Sequence, residues 1–249
     1  MLPKVVVDNK AQEVTDSIST EISASKMHDR AGPGLKREIA KLRAKYQAIT
    51  EKEKNAIFAD SLADLYRSAG MFDSAAWFAG DAATFFNTTE SWIKAGDQYY
   101  QAFAFALDEK KQQMLAEKAQ EFYEKVMTKA PGNLTVKTKL AMTYLSSNSP
   151  MKGIVMLREV LAQDPKNKEA LFNMGMLSIQ SGQYDKAVER FEELLKVDST
   201  HLQGQLLLGV ALLNQGEKER AKIQFEKVKR MDNDPAVQAE VDSYLKDLK

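Results

Sequence analysis

Ala170-Leu171-Phe172-Asn173-Met174-Gly175-Met176, followed five residues later by Gly182-Gln183-Tyr184-Asp185-Lys186-Ala187-Val188-Glu189-Arg190-Phe191, decides the fold of this 249-residue chain. Each half spaces its apolar residues as one face of a helix, and Gly182 breaks the pattern between them. The same arrangement returns 34 residues away on either side. Gly153, Ala187 and Ala221 keep that interval, as do Leu157, Phe191 and Phe225, and Ala141, Gly175 and Gly209. Asp164, Asp198 and Asp232 follow it too, together with the pairs Gly182/Gly216 and Pro131/Pro165. Six columns in one register define an internal repeat, and such a repeat sets the architecture before any single helix is considered.

These columns resemble the tetratricopeptide repeat family, whose 34-residue helix–turn–helix unit carries aromatic, Leu-Gly, Tyr, Ala, Phe and Pro positions. The resemblance implies an all-α, right-handed α-solenoid with helical caps. In that register three regular units cover residues 134–167, 168–201 and 202–235. Gly70-Met71-Phe72-Asp73-Ser74-Ala75 matches Gly182 to Ala187 and marks an earlier unit over 56–88. Trp92, Ala95, Gly96 and Tyr99, then Ala119, Tyr123 and Val126, mark another over 89–133. That unit has about 11 residues more than the family spacing, around Phe103 to Gln113, and is expected to lengthen its helices or their turn. The small residues are expected where paired helices come closest, with Tyr123, Leu157, Phe191 and Phe225 bridging to the following unit. Pro131 and Pro165 are expected to start helices. After Pro235, residues 236–249 read as a capping helix with Val237, Val241, Tyr244 and Leu248 on one side.

The beginning of the chain differs. Leu35, Ile39, Leu42, Tyr46 and Ile49 form one apolar stripe, which predicts a capping helix over 35–55. Thr50-Glu51-Lys52-Glu53, at its end, has the pattern of a capping box that starts the next helix. Residues 1–34 read as a flexible tail, with a weak apolar spacing at Val14, Ile18 and Ile22.

Composition narrows the chemistry. Thirty-five basic and 35 acidic residues cancel, which argues against bulk attraction to nucleic acid or an anionic membrane. With no cysteine, disulfides, thiolate nucleophiles and Cys-based metal sites are excluded. Only His28 and His201 are available as imidazoles, and no phosphate-binding glycine loop occurs. Acidic pairs such as Glu192-Glu193, and the basic residues Lys36, Arg37, Lys41, Arg43 and Lys45, read as solvated helix faces. The expected protein is therefore not an enzyme and has no catalytic residue, metal or cofactor. No apolar run is long enough to span a membrane. The linker-like start after Leu2-Pro3 raises a membrane anchor upstream, with the repeats in the periplasm, as one reading. A cytoplasmic protein is the other.

The resemblance also implies a binding surface, because the family's ligand-facing residues lie on the first helix of each unit. Carried onto this chain, the inner columns are Thr138, Phe172 and Leu206; Met142, Met176 and Val210; and Leu145, Ile179 and Leu213. Thr135, Glu169 and Gln203 stand at the edge. The family's chaperone-binding members use Lys and Asn to clamp a terminal carboxylate, but here Thr138 and Met142 occupy those places. The expected function is thus a scaffold that binds a partner helix or extended peptide in an apolar groove. Core packing between helices is the bland account of the same columns. Phe72, Trp77, Phe78, Phe85, Phe86 and Trp92 form a dense aromatic group that supplies a second candidate surface. The alternative function is a self-associating structural component of the cell envelope. Partners are therefore proteins or peptides, a homo-oligomer included, with neither nucleic acid nor a small-molecule substrate expected.

Overall fold

A computed structural model of the chain describes residues 31–248. The expected tail therefore lies, as far as residue 30, outside the described residues, as do His28 and the Val14–Ile22 spacing. The described chain folds as twelve α-helices without a strand: α1 (Pro33–Ala48), α2 (Lys52–Ser68), α3 (Phe72–Phe86), α4 (Thr89–Phe105), α5 (Glu109–Lys129), α6 (Leu134–Leu145), α7 (Pro150–Gln163), α8 (Lys168–Gln180), α9 (Tyr184–Val197), α10 (Leu202–Gln215), α11 (Lys218–Met231) and α12 (Pro235–Asp247). It is an all-α helical repeat fold. It divides within α7 into two compact units, 31–157 and 158–248.

Local chemistry sets the helix ends. Asn133 and Asn167 cap α6 and α8 by accepting the backbone N–H of Val136 and Ala170. Those helices start three residues after Pro131 and Pro165, so the prolines stand in the connecting turns and not at the first helical position. Each asparagine carboxamide satisfies a donor that the first turn leaves unpaired. Thr88 and Ser91 form a reciprocal capping box at α4. The box expected at Thr50–Glu53 does not form: α2 begins at Lys52, Glu51 is its N-cap, and neither side chain caps it. Glu51 pairs with Lys54 instead, at 2.7 Å. Pro33 starts α1, two residues before the expected boundary, because its fixed φ suits a first helical turn. Gly70, Gly182 and Gly216 hold φ of 73°, 69° and 89° in the tight turns inside their helix pairs, a conformation costly for other residues.

In the unit 31–157, the apolar side of α1 packs through Leu35, Ile39, Leu42 and Tyr46 onto a core built from α2 to α6. The additional residues of the second repeat are absorbed in its helices, 17 residues in α4 and 21 in α5. A separate cluster of Ala76, Ala102, Phe103, Leu115 and Ala116 fills the lengthened end. In the unit 158–248, Leu171, Phe191, Leu194, Leu207, Phe225, Val228 and Val241 belong to one core.

The large conserved-interval rings pack inside their own helix pairs. A Cβ placed on Gly96, Gly175 or Gly209 would lie 2.5, 2.7 or 2.7 Å from the ring of Tyr123, Phe191 or Phe225. The small column is thus demanded by the aromatic ring beneath it, and Phe225 also reaches the following helix, stacking on Tyr244 with ring centroids 4.7 Å apart. Gly153 is as tight as Gly96, but its neighbour is backbone, the Ala141 carbonyl oxygen lying 2.5 Å from such a Cβ.

Candidate functional site

The first helices of the unit 158–248 are α8 and α10, which lie against each other. Phe172 and Met176 stand one turn apart on α8, and Leu206, Val210 and Leu213 mark successive turns of α10. Phe172 packs edge-on to Phe191, with ring centroids 6.2 Å apart, and lies 5.1 Å from the ring of His201. His201 is itself the N-cap of α10, its Nδ1 accepting the Gly204 N–H at 3.0 Å. That bond gives this histidine a structural task at the margin of the strip.

Burial divides the nine candidate side chains. Met142, Leu145, Phe172, Met176 and Leu213 are half-buried, which leaves part of each in solvent. Thr138, Ile179, Leu206 and Val210 are instead buried and offer a partner no surface while the helices stay packed. Leu206, Val210 and Ile179 belong to the core of their unit, and the Thr138 hydroxyl donates to the Leu134 carbonyl. Leu145 lies against α7, its Cδ2 3.0 Å from the Cβ position of Gly153. Around the strip in the unit 158–248, Glu169, Gln180 and Asn214 are exposed and Gln203 is half-buried.

The earlier repeats place charge where the later ones place methionine. Asp64 and Asp97 occupy the column of Met142, Met176 and Val210. Lys94 reaches Asp60 at 2.7 Å and Asp64 at 2.9 Å. One repeat further, Lys139 reaches Asp97 at 2.9 Å, and the Tyr123 hydroxyl donates to the same carboxylate at 2.7 Å. Lys94 and Lys139 are thus held in a ladder that ties each first helix to the preceding one. Lys139 is committed to Asp97, and the Asn173 carboxamide donates to the Glu169 carbonyl, so neither is free to clamp a carboxylate. The sequence signal for this ladder is the same column carried backward from Met142, 45 residues across the lengthened repeat to Asp97 and 33 more to Asp64.

The aromatic group splits in the structure. Phe78 and Trp92 are buried, and Phe72 and Phe86 half-buried. Trp77, 53% exposed, and Phe85 face solvent. A pocket of about 470 Å³ opens beside Phe85, lined also by Ile49, Thr50, Lys52, Asn55, Asp81 and Thr84. At its edge the Tyr46 hydroxyl donates to Asp81 at 2.9 Å. Burial, then the Asp81 carboxylate, pushes the Tyr46 phenol up to about 12. Among the described residues no helix is long and apolar enough to cross a membrane.

Comparison with known proteins agrees with the helical repeat fold. The model of the tetratricopeptide repeat family matches residues 150–199 and 178–239. No curated protein sequence matches the chain. A crystal structure of MamA is similar with a TM-score of 0.55 at 19% identity, over 73% of this chain and 93% of that one. MamA from residue 41 onward of Desulfovibrio magneticus RS-1 gives 0.56 at 16% identity, over 74% and 97%. YrrB, described as a tetratricopeptide repeat protein with an unusual peptide-binding site, gives 0.52 at 18% identity, over 86% and 100%. At such identities the likeness is one of fold. Residues 150–239 thus carry repeats of the tetratricopeptide family, and the chain shares its helical repeat fold with these structures.

Proposed function

We propose that this protein is a non-enzymatic scaffold that binds a partner protein through an amphipathic helix or extended segment laid along the first-helix strip of its later repeats. The observation that carries the reading is the partial exposure of Phe172, Met176 and Leu213, three large apolar side chains in ligand-facing columns that pack against the core of their unit without being buried in it. Apolar side chains from a partner would cover them, and the exposed Glu169, Gln180 and Asn214 would orient it by hydrogen bonds. Methionine is flexible and polarizable, so the strip suits varied apolar anchors better than one fixed sequence. The peptide-binding site named for YrrB supports a peptide ligand for this fold.

The test is capture of partners from the native organism by the wild-type chain and by the double variant Phe172→Glu, Met176→Glu. Capture should be lost in the variant with helicity by circular dichroism unchanged, and wild-type capture should vary little with salt because no charge cluster drives it. Undiminished capture by a folded variant overturns the reading. A second reading, self-association as a structural component, is favoured by a separate group of exposed apolar side chains in the unit 31–157.

A further inference from the structure

The lengthened second repeat ends in the largest local departure from burial. Leu107, between α4 and α5, is 75% exposed, and Met114, on the second turn of α5, is 53% exposed. Phe105, the last residue of α4, is exposed on its other side while its ring stacks on Phe72 at 4.7 Å between centroids. Met71, adjoining Phe72, is exposed as well. Lys111 pairs with Asp73 and thereby holds the start of α5 against the start of α3. The four apolar side chains thus share one end of the unit, supported from beneath by the Phe103 and Leu115 cluster. A patch of this kind on a water-exposed surface is a recurrent mark of association.

We propose that this end of the unit is the docking surface for a second copy of the same chain. The occupant follows from the charges on the rim. Asp108 is spent as the N-cap of α5, its carboxylate accepting the Lys111 N–H, and Lys111 is spent on Asp73. Glu109 and Lys110, side by side and exposed, make no ion pair among the described residues. A twofold axis through the patch sets Glu109 of each copy opposite Lys110 of the other, so the surface is complementary to itself, as a twofold interface must be. Net charge at Asp108-Glu109-Lys110-Lys111 is zero, which removes the cation excess that an anionic bilayer would require. Four apolar side chains are far fewer than the ~20–30 residues a side of a standard interface, so the dimer is a weak one. This inference rests on the self-association reading and is independent of the Phe172–Met176 strip.

Sedimentation velocity of the full chain from about 5 to 500 μM tests it, that span bracketing the weak dimer expected of so small an interface. The wild type should shift from monomer to dimer. Leu107→Glu with Met114→Glu should remain monomeric throughout with unchanged helicity, because both side chains already face solvent. Glu109→Lys should weaken the dimer by about tenfold, and adding Lys110→Glu should restore it, since the reversed pair is again complementary. A wild type that stays monomeric at 500 μM overturns both self-association and this surface. A dimer unaffected by Leu107→Glu with Met114→Glu overturns the surface alone. Pelleting of the wild type, but not that variant, with phosphatidylcholine–phosphatidylglycerol vesicles overturns it in favour of a bilayer.

Discussion

Gly153 shows how a single residue position is governed by what lies across from it. Its neighbour is a helix backbone oxygen, which cannot rotate aside as the rings opposite Gly175 and Gly209 can. Gly153→Ala should therefore destabilise the protein by about 1–3 kcal/mol through overpacking, despite alanine's better helix propensity. Gly132→Ala is the control, because a Cβ there meets nothing within 4 Å and φ is not positive. It should be neutral or add up to about 1 kcal/mol by restricting the unfolded chain. Urea denaturation of the two variants distinguishes them, and equal midpoints would refute the close-contact argument. The 34-residue register already marked Gly153 as a small-residue column. Which atom enforces smallness was not legible there, because glycine at Gly153, Gly175 and Gly209 reads alike whether a ring or a carbonyl lies opposite.

Elements are delimited by short-range chemistry, and here the sequence reading succeeded unevenly. The capping pattern at Thr50–Glu53 is absent in the structure, whereas Thr88–Ser91, with serine in the place usual for glutamate or glutamine, closes both hydrogen bonds. Thr88→Ala should cost about 1 kcal/mol by leaving a first-turn N–H of α4 without its side-chain partner. Thr50→Ala should fall within about 0.5 kcal/mol of wild type, being exposed and outside the cap. Thermal or urea unfolding reads both, and a larger loss at Thr50 would reverse the assignment of caps. The long second repeat was legible as a departure from the period. Its consequence, a turn exposing Leu107, was not, because a residue count does not say which side chains the extra turns leave uncovered.

At the scale of the whole molecule, a repeat protein gains its stability from each unit plus its contacts with immediate neighbours. Ala187 is fully buried on α9 in the core of the unit 158–248. Ala187→Leu should overpack that core by about 1–3 kcal/mol. Hydrogen exchange should accelerate across α8 to α11 and stay near wild type across α2 to α5. Uniform acceleration along the chain would contradict nearest-neighbour coupling.

The all-helical repeat class was written in the sequence itself. A helix pair whose apolar columns recur every 34 residues cannot bury them alone, so stacking follows from the pattern. The candidate columns were legible for the same reason, since position within a repeat sets which face of a helix a residue occupies. Exposure within those columns was decided only by the tertiary structure. Phe172 and Leu206 stand in one column, as do Met176 and Val210, yet the α8 residues remain partly exposed while those on α10 join the core. The Asp–Lys ladder likewise joins residues 30 to 42 positions apart. Periodicity orients a side chain about its own helix axis, but burial and ion pairing depend on which atoms other helices bring to meet it.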